Sequence, residues 1–344
     1  MRASLSPRMR EVREALPLLE PRGARVVLGA QVAAPVAPIV PSASSLFGPR
    51  GACLASSAGP LLVCDTGHHR LLIWKAVPGS DGVPADLVIG QPDFSAEGRN
   101  ARRETGAATL NVPTGISVSA DVLAVADAWN HRVLLWYGMP CRPNQPADVV
   151  LGQKDFRSGL ANRGEGATRV DTLNWPYGVL IHERCLYVAD TGNRRILVWH
   201  SLPETNGTPA DLVLDEGMRW PHGIAANEDH LFVADAGSSR LFVWRNLVFV
   251  GGRGEDINMP YGVTVQHDRV VVADTANSRL LGFDFATGTP RWLAGQKTLN
   301  DKGDNRWGFA ARDSLCWPQG VAACGDTLVV ADSGNHRILL WEIA

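Results

Sequence analysis

Six aspartates in this chain each stand five residues ahead of an arginine: Asp65 and Arg70, Asp127 and Arg132, Asp190 and Arg195, Asp235 and Arg240, Asp274 and Arg279, Asp332 and Arg337. Carboxylates repeated in register are the first place to look for catalytic acids and bases. Catalysis needs such a group once, however, and an Asp and an Arg that flank one turn can pair, fixing the turn and neutralising both charges. The repeat therefore reads as structural. Histidine offers a second chemistry, because His69, His131 and His336 share one position of the motif, with His68 and His222 expected on the same face. Zinc needs each donor nitrogen at about 2 Å, whereas neighbouring packed sheets stand about 10 Å apart. These histidines read as structural or solvent-facing. No catalytic residue, metal ligand or cofactor is assigned.

The elements that carry these residues repeat as strictly as the residues do. Each copy opens with Pro-x-Gly, fourteen residues before the Asp in five copies and sixteen in the first, and closes on an aromatic nine residues after it: Trp74, Trp136, Trp199, Trp244, Phe283 and Trp341. The runs 61–64, 122–126, 185–189, 230–234, 269–273 and 327–331 are short, apolar and bounded by turn residues, as strands are. The segments after each Arg read likewise. Between them lies a tight turn such as Asp190-Thr191-Gly192-Asn193-Arg194-Arg195, where Gly and Asn suit positive φ. Pro at the head of a further strand costs no ladder bond. A fourth strand follows in most copies, as in Ala85-Asp86-Leu87-Val88-Ile89-Gly90-Gln91 and Ala147-Asp148-Val149-Val150-Leu151-Gly152-Gln153.

Four antiparallel strands per unit, repeated radially, make an all-β fold: a six-bladed β-propeller. The sixth copy holds only three strands, and Arg25-Val26-Val27-Leu28-Gly29 near the N-terminus matches the missing one, so this strand is expected to complete the last blade. The expected organisation is an extension or cap over residues 1–23 and the propeller over 24–344. Residues 8–19 could form a short helix with Met9, Val12 and Leu16 on one face, held loosely on the ring.

The motif (Pro-x-Gly-Val, then Val-Ala-Asp-x-Gly-Asn-x-Arg-Ile) resembles the NHL-repeat family of six-bladed propellers over roughly residues 24–344. Departures are local: Cys64 for Ala, Trp129 and Ala276 for the turn Gly, and Ser238-Ser239 for Asn-x. The resemblance implies that the Pro-x-Gly and Asp turns share one face around a central channel. Propeller lactonases hold Ca²⁺ in such a channel with carboxylate and amide oxygens. The inner strands here, such as Val179-Leu180-Ile181 and Val263-Thr264-Val265, carry no Asp, Glu or His after their Pro-x-Gly. The chain also lacks Gly-rich phosphate loops, His-Glu-x-x-His and Gly-x-Ser-x-Gly.

What varies between copies points to binding. The middle residue of Pro-x-Gly is Arg50, Thr114, Tyr177, His222, Tyr261 or Gln319; the residue before the Pro is Trp175, Trp220 or Trp317 in three copies, and Trp129 adds an indole in a turn. Aromatic and Arg groups on a rim are typical of binding hot spots. The candidate ligand-binding set is therefore Arg50, Trp129, Trp175, Tyr177, Trp220, His222, Tyr261, Trp317 and Gln319. Long connections into copies one, two, three and six carry arginines mixed with acids, such as Arg163, Arg169, Arg306 and Arg312 with Glu165 and Asp313. They could wall one side of the face.

A net charge of −2 argues against a nucleic-acid footprint and an anionic membrane surface, and no run approaches a membrane span. Six cysteines without Cys-x-x-Cys spacing read as reduced thiols of a cytoplasmic protein. The favoured reading is a non-enzymatic scaffold that binds a protein or peptide on the motif-turn face. A metal-dependent lyase or hydrolase at the channel mouth is the first alternative, and single-stranded RNA binding the second. Oligomeric state is left open.

Overall fold

The computed structural model describes residues 12–30, 39–119, 121–254, 256–284 and 287–344. Six separate antiparallel sheets form the blades. Their innermost strands are Gly51–Leu54, Pro113–Ser119, Pro176–His182, Pro221–Ala226, Pro260–Gln266 and Pro318–Cys324, and all six line one central cavity. In blade three the outer strands are Cys185–Asp190, Arg195–Trp199 and Leu212–Leu214. The second strand of each blade is buried on both sides. That is why it reads as an unbroken apolar run rather than an alternating one. Six hydrophobic clusters fill the spaces between neighbouring blades.

Val26–Gly29 pairs antiparallel with Arg337–Glu342 and supplies the fourth strand of blade six, as the sequence predicts. Its side chains alternate between two cores. Val27 faces the cluster shared with blade five, whereas Val26 and Leu28 face that shared with blade one. The Trp341 indole donates to Glu20 O at 2.8 Å; Trp74, Trp136 and Trp199 donate instead to carbonyls nine residues onward in their own loops.

The segment before this strand departs from expectation. Residues 12–20 carry no helix, and Arg8 and Met9 lie outside the described residues. Leu16–Pro17 forms a parallel fifth strand on Pro290–Ala294 of blade five. Leu18 and Leu19 are buried in the blade five–six core, so this stretch is packed rather than loosely held. Two prolines, Pro17 and Pro21, favour extended backbone over helix here.

The turn glycines also have another duty than the one expected. Positive φ falls on the residue before the Arg: His69 57°, His131 51°, Arg194 60°, Ser239 54°, Ser278 51° and His336 56°. Gly192 is needed instead for close approach, since a Cβ there would lie 2.6 Å from the Asn174 side chain. Its N–H donates to Asn174 O at 2.8 Å, and where Trp129 and Ala276 replace the glycine the equivalent bonds lengthen to 3.1 and 3.2 Å.

Candidate functional site

The Asp–Arg repeat forms buried ion pairs in five blades, with Nε to Oδ2 distances of 2.6–2.7 Å. Each Arg then reaches loop carbonyls; Arg132 donates to Phe156 O, Gly106 O and Thr109 O. The motif Asn completes the carboxylate's shell, as Asn193 does for Asp190 at 2.8 Å. Burial pushes the carboxyls of Asp127, Asp190, Asp274 and Asp332 upward against the pull of their arginines. Such a pair positions the loops more than it adds net stability. Blade four breaks the pattern. Asp235 accepts from Arg219 N, Trp220 N and Ser238 Oγ, while Arg240 is exposed and forms no ion pair among the described residues. The short connection 215–220 turns two successive amides onto the carboxylate, and Ser238 stands where four of the other five copies have Asn and the first has His68.

The repeated histidines are clips between blades. Nδ1 of His69 accepts Val112 N–H, that of His131 accepts Trp175 N–H and that of His336 accepts Gly48 N–H, each at 3.0 Å. In the blades with Ser239 and Ser278, the hydroxyl takes this role at 3.2 and 3.3 Å. Burial holds all three histidines below the ordinary imidazole range, with Arg99 adding to the effect at His69. A folded pKa below the unfolded one gives stability that is present above the unfolded value of about 6.5 and lost as pH falls through the folded values. His68 has the opposite sign: burial disfavours its charge, but Asp65 at 2.8 Å outweighs this and raises it. His68 therefore contributes below the unfolded pKa and loses that contribution as pH rises through the folded one. Replacing His69, His131 and His336 by Ser should keep the acceptors and flatten the fall in urea midpoint between about pH 7 and pH 5. An unchanged slope would remove the clips from the account.

Two further sets of contacts were missed in the sequence. Asn100, Asn162 and Asn305 pair through their side-chain amides with the turn residues Asn130, Asn193 and Asn335, tying the long loops to the turns. Each stands nine residues after a Gly-Gln pair, a spacing visible in the sequence. Thr66, Thr191 and Thr275 donate their hydroxyls to the Pro carbonyl of the next blade at 2.6–2.7 Å.

The Pro-x-Gly units build the channel mouth. In five blades the ladder shifts register between the Pro and the strand behind it, a bulge that re-aims the middle side chain. The Gly lets neighbouring blades meet: a Cβ on Gly178 would lie 1.8 Å from His222 O, and the same approach recurs from blade to blade around the ring. This links the middle residues in the ring order Arg50, Thr114, Tyr177, His222, Tyr261, Gln319. The ring centroid of His222 is 4.6 Å from that of Tyr177 and 4.3 Å from that of Tyr261, and the Arg50 guanidinium lies 5.8 Å from the Tyr177 centroid. All six line a cavity of about 340 Å³ that has no Asp or Glu in its wall. Burial, assisted by Arg50, keeps His222 well below the usual imidazole range and hence neutral, and its Nε2 is buried without a hydrogen bond among the described residues.

The predicted tryptophans do not line this cavity. Trp129, Trp175, Trp220 and Trp317 are 46%, 45%, 43% and 41% exposed, with Trp175 stacked on His131 and Trp220 tilted against His222.

A protein-family model described as NHL repeat matches residues 218–244 and 315–339, the cores of blades four and six. The chain carries NHL repeats in these two blades. The human NHL repeat-containing protein 2 is 34% identical over 77 residues, which cover 21% of this chain and 9% of that relative. The match thus spans less than a tenth of the relative's length. Among solved structures, a gluconolactonase from Xanthomonas campestris superposes with a TM-score of 0.55 at 14% identity, covering 98% of this chain and 99% of that one. The WD40 propeller domain of Doa1 gives 0.52 at 8%, covering 93% and 96%. A chain of a nidogen/laminin complex gives 0.50 at 14%, covering 78% and 92%. At these identities the chain shares the propeller fold with them. No described helix is long and apolar enough to cross a membrane.

Proposed function

We propose that this NHL-repeat propeller is a non-enzymatic cytoplasmic scaffold that binds a protein or peptide partner across the channel mouth and its tryptophan rim. One contrast carries the reading. The repeated Asp and Arg groups are consumed by structure in five blades, and Asp235 in the fourth, whereas the blade-specific side chains of Arg50, Tyr177, Tyr261 and Gln319 make no hydrogen bond among the described residues. Half-exposed indoles, Trp175, Trp220 and Trp317, stand two residues before Tyr177, His222 and Gln319, aromatic groups of the kind enriched at protein-binding hot spots. All six cysteines are free, which fits a reducing compartment.

The alternatives find less support. A metal site would need His222 to converge with His131 and His336, and those two accept backbone N–H groups. No three potential ligands come together among the described residues. For RNA, the loop arginines would have to offer free charge, yet Arg163, Arg306 and Arg312 pair with Asp171, Asp313 and Asp81. The test is affinity capture from a native lysate with wild type and Tyr177→Ala/Tyr261→Ala, both checked for equal melting. The double variant should lose the partners that wild type retains, and an unchanged partner set would show that the face is wrong.

A further inference from the structure

We propose, resting on that reading of the face, that the channel mouth is a socket for one carboxylate side chain, an Asp or Glu of the bound peptide, anchored by Arg50. In the ring of six middle residues, Arg50 stands opposite His222 and reaches toward Tyr177. It forms no ion pair among the described residues, and the cavity wall holds no acid to neutralise it. Other half-exposed arginines of the chain do find acids: Arg13 has Asp256, Arg306 has Asp313 and Arg312 has Asp81. Arg50 is thus a cation at the end of an otherwise uncharged cavity, where water screens it less than on an open surface.

The surrounding groups suit a carboxylate. A guanidinium presents two parallel N–H donors that match its two oxygens. The buried, unpartnered Nε2 of His222 can donate when the neutral ring carries its proton there, and the hydroxyls of Tyr177 and Tyr261 are further donors. Of the other polar side chains of the wall, Thr114 donates to Tyr177 O, Ser117 accepts Ile181 N–H and Thr264 accepts Ala323 N–H, while the Gln319 amide has no hydrogen bond among the described residues and is a further donor. A single cation at the mouth fits a singly charged carboxylate better than a doubly charged phosphoryl group. The cavity of about 340 Å³ lies at the small end of ligand sites and has room for a side chain rather than a folded segment.

Panning a random-peptide display library against purified full-length chain tests this. Wild type should enrich peptides with Asp or Glu at one shared position. One selected peptide, made synthetically, should bind at least roughly 30-fold more weakly to Arg50→Gln. Its Glu→Gln or Asp→Asn counterpart should be equally weak on wild type and lose nothing more on Arg50→Gln. Arg50→Lys, which keeps the charge but not the fork, should fall between. Peptides that bind wild type with no acidic enrichment, or whose acid does not couple to Arg50, overturn the socket and leave the binding face intact. Recovery of no peptide, or of peptides that ignore both Arg50→Gln and Tyr177→Ala/Tyr261→Ala, overturns socket and face together. Melting of each variant at the wild-type temperature excludes unfolding as the cause.

Discussion

Asp190→Ala is expected to lower the unfolding free energy by about 3–5 kcal/mol, the usual cost of removing one partner of a buried ion pair. Arg195 would keep its place beneath the turn, 8% exposed, with its counter-charge gone. Asn193 would lose the acceptor of its amide, and Asn174 N–H its carboxylate. Asp235→Ala should cost less, about 1–3 kcal/mol. It strands a serine hydroxyl and two backbone amides, but no cation, because Arg240 already faces solvent. The double variant Asp190→Ala/Arg195→Leu should recover part of the single-variant loss by removing the orphaned charge. It should not recover all of it, since Arg195 also holds Arg169 O and Thr172 O. Urea titration of the four chains with unchanged m-values is the measurement. Equal losses at Asp190 and Asp235 would show that the ion pair is not what the motif protects.

Blade four shows where the sequence stops being informative. Asp235 and Arg240 carry the same letters at the same spacing as the other five pairs. What separates them is a short loop that turns two amides onto the carboxylate, and a residue pattern cannot show where a backbone N–H points. The same limit explains the histidines. Spacing marked them as structural or solvent-facing, but it could not show that their partners are main-chain amides of the next blade, which no residue type advertises. Strand order and ring closure were legible because burial between blades forces an apolar run at every copy. The channel-mouth residues were legible for the opposite reason: Tyr177, His222 and Tyr261 vary where the scaffold repeats. Their convergence was not, because it depends on a bulge and on glycines that let neighbouring inner strands approach. The parallel strand Leu16–Pro17 was hidden by its length, two residues being too few to show a period.

Removing residues 1–32 should leave a chain that no longer melts cooperatively near the wild-type temperature. The loss falls on two interfaces at once. Val26 and Leu28 leave the core between blades six and one, and Val27, Leu18 and Leu19 leave that between blades five and six. A single buried Leu→Ala change typically costs about 2–5 kcal/mol, and whole domains have only about 5–15 kcal/mol to lose. The truncation also uncovers Arg337–Glu342 as a new edge of apolar residues, which invites pairing with another chain. Two shorter deletions separate the contributions. Removing residues 1–15 spares both added strands and should shift melting little. Removing residues 1–23 takes Leu16–Pro17, Leu18, Leu19 and the Glu20 carbonyl that holds the Trp341 indole, and should give an intermediate loss. The order expected by calorimetry is therefore wild type, then 1–15, then 1–23, then 1–32. A ring closed by some other contact would keep its melting temperature after the longest deletion. Val27→Ala within the full chain provides the matching point variant: it removes two methyl groups from the blade five–six core while preserving every backbone bond of the strand, so its loss reports the packing contribution without touching strand pairing.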